Sequence, residues 1–143
     1  MIVSTYQYQF QLFSRAKLTL TISIPKETQT IEASYDIPEV YKYVDYVNIL
    51  SYNYHSYRDG KTGENAPLYP RPDEIGIDAT YNVNYTLQYL LSKGALAEKT
   101  VLGIPFYGQS YVLVDEENNT IGANSSDHPC SVRKVFKILF SLR

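Results

Sequence analysis

The chain has 143 residues, 44% of them hydrophobic and 20% charged, which is the make-up of one ordinary globular domain. Thirteen basic residues against fifteen acidic ones leave a net charge of −2, which argues against nucleic-acid binding, since that needs a basic patch or stripe. No apolar run approaches the roughly 20 residues that span a bilayer, so no membrane partner is expected, and the single cysteine, Cys130, excludes an intramolecular disulfide.

The start, Met1 to Phe10, has no basic segment and carries glutamines within its apolar stretch, so it does not read as a secretory signal. Leu18, Leu20, Ile22 and Ile24 alternate with Thr19, Thr21 and Ser23, which predicts a strand over 18–24 that Pro25 stops. The small hydroxyl face suits a strand whose second side points into a crowded interior. A loop is expected next. Asp36 then caps a short helix with Pro38 in its first turn. Tyr46 to Tyr52 is rich in β-branched and aromatic residues and reads as a second strand. From Asn53 to about Asp78 the glycines and prolines predict a long loop, of a length that is usually functional or disordered rather than a simple turn. Asn82 caps a helix over 83–93, with Val83, Leu87, Leu90 and Leu91 at core spacing and Gly94 as its stop. Tyr81, Tyr85 and Tyr89 lie four apart on a neighbouring stripe, best read as packing against an adjacent element. Val101 to Pro105 is a third, short strand.

Strand, helix, strand, long loop, helix, strand implies parallel strands with helical crossovers. Polar and aromatic residues gather just after the second and third strands, which in a barrel of parallel strands is the face where sites are built. Fifteen tyrosines and no tryptophan do not decide the matter, because tyrosines stack on sugars but also fill half-buried positions in any α/β protein. Three N-x-S/T sequons, at Asn84, Asn118 and Asn124, are compatible with secretion but common by chance. Residues 131–143 carry four basic side chains and no acid, with Val132, Val135, Phe136 and Leu139 at helical spacing. Such a segment can meet a membrane surface or a partner, but a plain terminal helix or a tail foreign to the fold is the simpler reading.

Leu50-Ser51-Tyr52-Asn53-Tyr54-His55, followed by Lys61-Thr62-Gly63-Glu64-Asn65-Ala66-Pro67-Leu68-Tyr69, resembles the segment of family 18 glycoside hydrolases that usually reads M-x-Y-D-F-H-G and then T-G-H-N-x-P-L-Y. Val101 to Tyr111 is similar to the family's V-L-G-x-P-F-Y-G-R-S-F, and Leu18 to Pro38 to the strand and Y-D-I-P loop upstream. The resemblance covers residues 15 to 126. It implies an α/β fold that is part of a (β/α)8 TIM barrel, about strands five to seven with their helices, followed from Tyr111 by the start of a small α+β insertion. The implied division is 1–126 as a partial barrel and 127–143 as a divergent basic tail.

The resemblance also implies a chemistry. Most glycosidases use two carboxylates, but this family is an exception that uses its substrate. A glutamic acid protonates the leaving oxygen while the substrate's own N-acetyl oxygen attacks the anomeric carbon. That acid ends a D-x-x-D-x-D-x-E motif, and none of the fifteen acids here forms it, so the expectation is that the chain begins after it and carries no catalytic residue. Tyr52 matches the tyrosine that holds the acetamido group in attacking position. Asn53 stands where Asp is usual and brings no charge to tune the acid. Leu50 replaces methionine as an apolar floor. Tyr107 matches a sugar-cleft contact, and Gln109 stands where Arg is usual.

Leu50, Tyr52, Asn53, Tyr107 and Gln109 are therefore the expected substrate-binding residues, with chitin or a chitooligosaccharide as partner. Ser56, Tyr57 and Arg58 alter one aromatic wall, for which Tyr57 offers a replacement face. His55 reads as structural, and with His128 and Cys130 it forms no metal site, so neither metal nor other cofactor is expected. The leading reading is a fragment of a chitinase whose parent is secreted. The alternative is a chitinase-like lectin that binds chitooligosaccharides without cleaving them. Three barrel strands standing alone would also leave two unpaired edges.

Overall fold

The computed structural model describes residues 18–128, and the expectations for the N-terminal segment, Cys130 and the basic tail 131–143 lie outside the described residues. The chain divides into two compact units, one running to Leu50 with Gln88–Leu102, the other comprising Ser51–Leu87 and the chain from Gly103 onward.

The first unit holds a three-stranded parallel sheet in the order β1 (Thr21–Ile24), β2 (Tyr46–Ile49) and β3 (Thr100–Leu102). Ile22 pairs with Val47 and Ile24 with Ile49, while Val47 pairs with Thr100. Two helices, α1 (Thr28–Ser34) and α2 (Ile37–Tyr43), connect β1 to β2. Asp36 caps α2, its carboxylate accepting from Glu39 N at 3.2 Å, with Pro38 in the first turn as the sequence implies.

Helix α1 replaces the loop expected before Asp36. Its seven residues include two threonines and a serine, and its N-cap Glu27 makes no side-chain cap bond. The local signal is therefore weak, and the helix is held by Ile31, which is fully buried in the core. That core is formed by Ile24, Ile31, Ile37, Tyr41, Val47, Ile49, Leu90 and Ala95. Lys99 closes the far end of α2, its ammonium donating to the carbonyls of Tyr41 at 2.8 Å and Val44 at 2.9 Å. A cation at a helix C-terminus satisfies orphan carbonyls and opposes the negative end of the helix dipole. The Tyr41 hydroxyl meets Thr100 Oγ1 at 2.7 Å.

The strands are shorter than their sequence patterns: β1 omits Leu18–Leu20, β2 stops at Ile49 before Tyr52, and β3 stops at Leu102. The hydroxyl face of β1 is exposed at Thr21 and Ser23 rather than packed into a crowded interior. Helix α3 (Val83–Ser92) starts from an Asn82 cap, whose Oδ1 accepts from Tyr85 N at 2.8 Å, and Gly94 follows it at φ 94°. Leu90 is fully buried, but Leu91, expected at the core, is 42% exposed. Tyr89 packs against the core as expected of its stripe, whereas Tyr81 and Tyr85 are more than a third exposed.

The second unit has little regular structure. Two short 3-10 turns, Tyr57–Asp59 and Asp78–Thr80, interrupt the long loop. Ser56 begins the first with a capping box, and Gly60 ends it in the left-handed region at φ 67°, where a side chain would be strained. Antiparallel bridges pair Lys61 with Asn124 and Leu113 with Ser125.

Candidate functional site

Tyr52 and Asn53 follow β2 in the chain, and Tyr107 and Gln109 follow β3; all four belong to the second unit. Ser51 ties these two stretches together, its buried hydroxyl donating to Gly103 O at 2.8 Å. Asn53 has φ 59° and is the only residue other than glycine in the left-handed region among the described residues. Asn tolerates that conformation because its short polar side chain bonds locally.

Four side chains meet at Asn53. Its Oδ1 accepts from the Tyr107 hydroxyl at 2.9 Å and from Gln109 Nε2 at 2.7 Å. Gln109 Nε2 also donates to Asn65 Oδ1 at 3.1 Å. Asn65 is 4% exposed and spans the group, its Oδ1 accepting from Asn53 N at 2.9 Å and its Nδ2 donating to Tyr107 O at 2.9 Å. The Tyr52 and Tyr107 rings meet edge to face, with centroids 6.1 Å apart and planes at 73°. Asn53 and Tyr107 are exposed, and Tyr52 and Gln109 are half-buried. Leu50, the remaining expected site residue, lies in the first unit directly after β2 and is 36% exposed.

The support behind this cluster includes the buried residues Tyr54, Thr86 and Tyr111. Tyr54, 6% exposed, donates its N–H to Asn65 O at 3.0 Å, and its hydroxyl shares a 2.9 Å bond with Thr86 Oγ1. Gly63 lies flat on His55: a Cβ at Gly63 would sit 2.5 Å from the His55 Cβ, too close for any other residue. The Gly63 carbonyl accepts from the buried Tyr111 hydroxyl at 3.0 Å, and burial pushes that phenol up to about 12.

His55 stands between two carboxylates, Nδ1 3.6 Å from Asp59 Oδ2 and Nε2 3.4 Å from Glu74 Oε1, with the Tyr81 ring at its edge. Its Nε2 has no hydrogen-bond partner among the described residues, and its contact with Gly63 makes it a packing residue. Arg71 grips Asp73 through two bonds, at 2.9 and 2.6 Å, and this pairing holds the Asp73 carboxyl below its usual range.

The cluster at Asn53 contains no carboxylate, thiol or imidazole. It offers amide and phenol groups with two aromatic rings, which suits binding of an uncharged polar ligand and supplies no acid, base or nucleophile. Asn65 carries no role in the sequence reading although it sits at the N of the segment resembling T-G-H-N. Its only local signal was that match, since an asparagine in a glycine- and proline-rich loop otherwise reads as turn chemistry. Tyr57, proposed as a replacement aromatic face, lies under Arg58, whose guanidinium carbon is 5.7 Å from the ring centroid. Among the described residues no group of three or more His, Cys, Asp or Glu could hold a metal ion, and no helix is long and apolar enough to cross a membrane.

The sequence profile described as "Glycosyl hydrolases family 18" matches residues 2–137. Probable chitinase 10 of Drosophila melanogaster is 40% identical over 116 residues, 80% of this chain and 5% of that protein. Chitotriosidase-1 of Mus musculus is 33% identical over 122 residues, 85% of this chain and 26% of that protein. Among solved structures, human YKL-39, described as a pseudo-chitinase with retained chitooligosaccharide binding properties, superposes with a TM-score of 0.81 at 33% identity. That match covers 87% of this chain and 34% of the other, so the chain spans about a third or less of each of these relatives. With one profile running from residue 2 to residue 137 and the relatives aligned over most of the same stretch, the chain belongs to glycosyl hydrolase family 18.

Proposed function

We propose that this chain forms one wall of the sugar-binding cleft of a chitinase-type family 18 protein, with chitin or chitooligosaccharides as the ligand class. The observation that carries this reading is the convergence on Asn53. Tyr107 and Gln109, 54 and 56 residues further along the chain, both bond its side-chain oxygen. Tyr52, Asn53, Tyr107 and Gln109 thus form one polar and aromatic cluster, with Asn53 and Tyr107 exposed and Tyr52 and Gln109 half-buried, which supports their reading as cleft residues. On this reading β1, β2 and β3 are the fifth, sixth and seventh strands of the family's barrel. Tyr52 and Tyr107 offer ring faces and hydroxyls to N-acetylglucosamine units, and Asn53 and Gln109 supply the amides. Leu50 is an apolar contact assigned on the sequence match alone. An extracellular setting for the parent is part of the same proposal.

Hydrolysis needs a proton donor beside the leaving oxygen, and none of the fifteen acids matches the family's motif for it. Binding without turnover is the activity expected of this chain. Calorimetric titration of the full chain with a chitooligosaccharide is expected to show binding, and Tyr107→Ala to weaken it about tenfold, ~1.4 kcal/mol. Absence of binding overturns the cleft, and robust release from a chromogenic chitooligosaccharide overturns the claim that the chain is not catalytic.

A second reading, a chitinase-like lectin, is favoured by the uncharged pair Asn53 and Gln109, and by the retained binding in the description of human YKL-39. Reading the coding sequence upstream separates the two: an intact D-x-x-D-x-D-x-E supports a hydrolase, and a lost final glutamate the lectin.

A further inference from the structure

The three N-x-S/T sequons are equal as sequence, and the fold treats them unequally. A glycosylating enzyme has to reach both the asparagine amide and the hydroxyl two residues further on. Asn84 and Thr86 lie in the first turn of α3, where residues two apart do not share a face. Thr86 is 1% exposed, and its Oγ1 shares a 2.9 Å bond with the Tyr54 hydroxyl. The backbone N–H of Asn84 donates to Leu68 O at 3.1 Å. Asn124 is exposed, but its stretch is paired on both sides. Its carbonyl accepts from Val114 N at 3.1 Å, while Ser125 N donates to Gly60 O at 2.9 Å and Ser126 N to Val112 O at 2.8 Å. The Ser126 hydroxyl accepts from His128 N at 3.2 Å.

Asn118 is placed differently. Residues 114–121 are all exposed, so amide and hydroxyl of this sequon both face solvent. The Thr120 hydroxyl donates to Asn118 Oδ1 at 2.8 Å, which presents the two side chains together. Asn118 Nδ2 makes no hydrogen bond among the described residues. The backbone bond of Asn118 is local, from its N–H to Asp115 O at 3.2 Å. The turn is anchored from behind, where Thr62 Oγ1 donates to the Thr120 carbonyl at 2.7 Å.

We propose that Asn118 is a site of N-linked glycosylation, and that the folded chain withholds Asn84 and Asn124 from the same reaction. The inference goes beyond the cleft reading and shares with it only the extracellular setting. The co-reactant is an oligosaccharide carried on a lipid pyrophosphate. A bond forms between Asn118 Nδ2 and the anomeric carbon, the bond from that carbon to the pyrophosphate oxygen breaks, and one amide proton leaves with the pyrophosphate. The glycan then stands between Val114, 70% exposed, and Ile121, 37% exposed, and gives an apolar stretch a hydrated cover.

The test incubates the full chain, and separately three short peptides that each span one sequon, with a solubilised oligosaccharyltransferase and the lipid-linked oligosaccharide. Glycopeptide mass spectrometry reads the rate at each asparagine. The peptides report the sequence alone, and all three are expected to be modified. In the chain, Asn118 is expected to keep the rate of its peptide to within about threefold. Asn84 and Asn124 are expected to fall about tenfold or more below theirs, because each must wait for local opening. Asn118→Gln and Thr120→Ala should both remove the glycan, and Thr120→Ser should restore it; both positions are exposed, so the fold is not put at risk. An unmodified Asn118, in the chain or in its peptide, overturns the proposal. So does a chain modified at Asn84 or Asn124 as fast as the matching peptide. The reaction contains no chitooligosaccharide and no secretion step, so its failure is distinguishable from failure of the cleft reading or of the extracellular setting.

Discussion

Tyr111 shows how one buried hydroxyl holds a turn together. Its side chain is 3% exposed and its hydroxyl donates to the Gly63 carbonyl, the residue on which His55 lies. Tyr111→Phe keeps the ring and strands that carbonyl, a loss of about 1–3 kcal/mol readable by urea denaturation. The raised pKa gives a pH signature of definite sign. An unfolded tyrosine ionises near 10 and Tyr111 near 12, so between those values the unfolded chain has lost a proton that the native chain keeps. This contribution to stability is full below pH ~10 and falls as pH rises toward ~12. Stability curves over that window should be shallower for Tyr111→Phe than for the wild type; identical slopes would show that the phenol does not titrate late.

Helix α3 shows where a hydrophobic pattern leaves an ambiguity that packing resolves. Leu90 and Leu91 are adjacent in sequence, and both fall within an apolar stripe at helical spacing. Packing chooses between them, with Leu90 at 0% and Leu91 at 42% exposure. Leu90→Ala is expected to cost ~2–5 kcal/mol through lost burial and a cavity, and Leu91→Ala no more than ~0.5 kcal/mol. Chemical denaturation of the two variants side by side checks this, and equal losses would count against the assignment. Helix α1 teaches the complementary lesson. Thr28, Thr30 and Ser34 are poor helix formers, and no side chain caps its start, so propensity and capping both pointed to a loop. Burial of Ile31 overrides them, which is a tertiary cause invisible in a seven-residue window.

At the scale of the whole chain, more large hydrophobic side chains are exposed than buried among the described residues. Phe106 is 96% exposed, Ile75 80% and Ile104 62%, and β1 and β3 each pair on one side only within the sheet. Unpaired strand edges and solvated apolar side chains both favour association with further chain, native or not. The isolated chain is therefore expected to self-associate at micromolar concentration, with sedimentation velocity as the measurement. Phe106→Lys should reduce the associated fraction. A monomer with a single cooperative melt would refute this expectation.

The sequence by itself determined what depends on local order and on motif. The parallel α/β arrangement was legible in the succession of strands and helices. So were the Asp36 and Asn82 caps and the gathering of Tyr52, Asn53, Tyr107 and Gln109 after two strands, because alternation, capping residues and family motifs are written in contiguous residues. Tertiary structure decided what depends on residues far apart. It shortened all three strands to the stretches that have partners, and it turned the expected loop at Thr28–Ser34 into a helix around one buried isoleucine. It also gave Asn65 its place. The bonds from Asn65 to Asn53, Tyr107 and Gln109 bridge 12, 42 and 44 residues, and no local pattern encodes a hydrogen bond whose two ends meet only after the chain has folded.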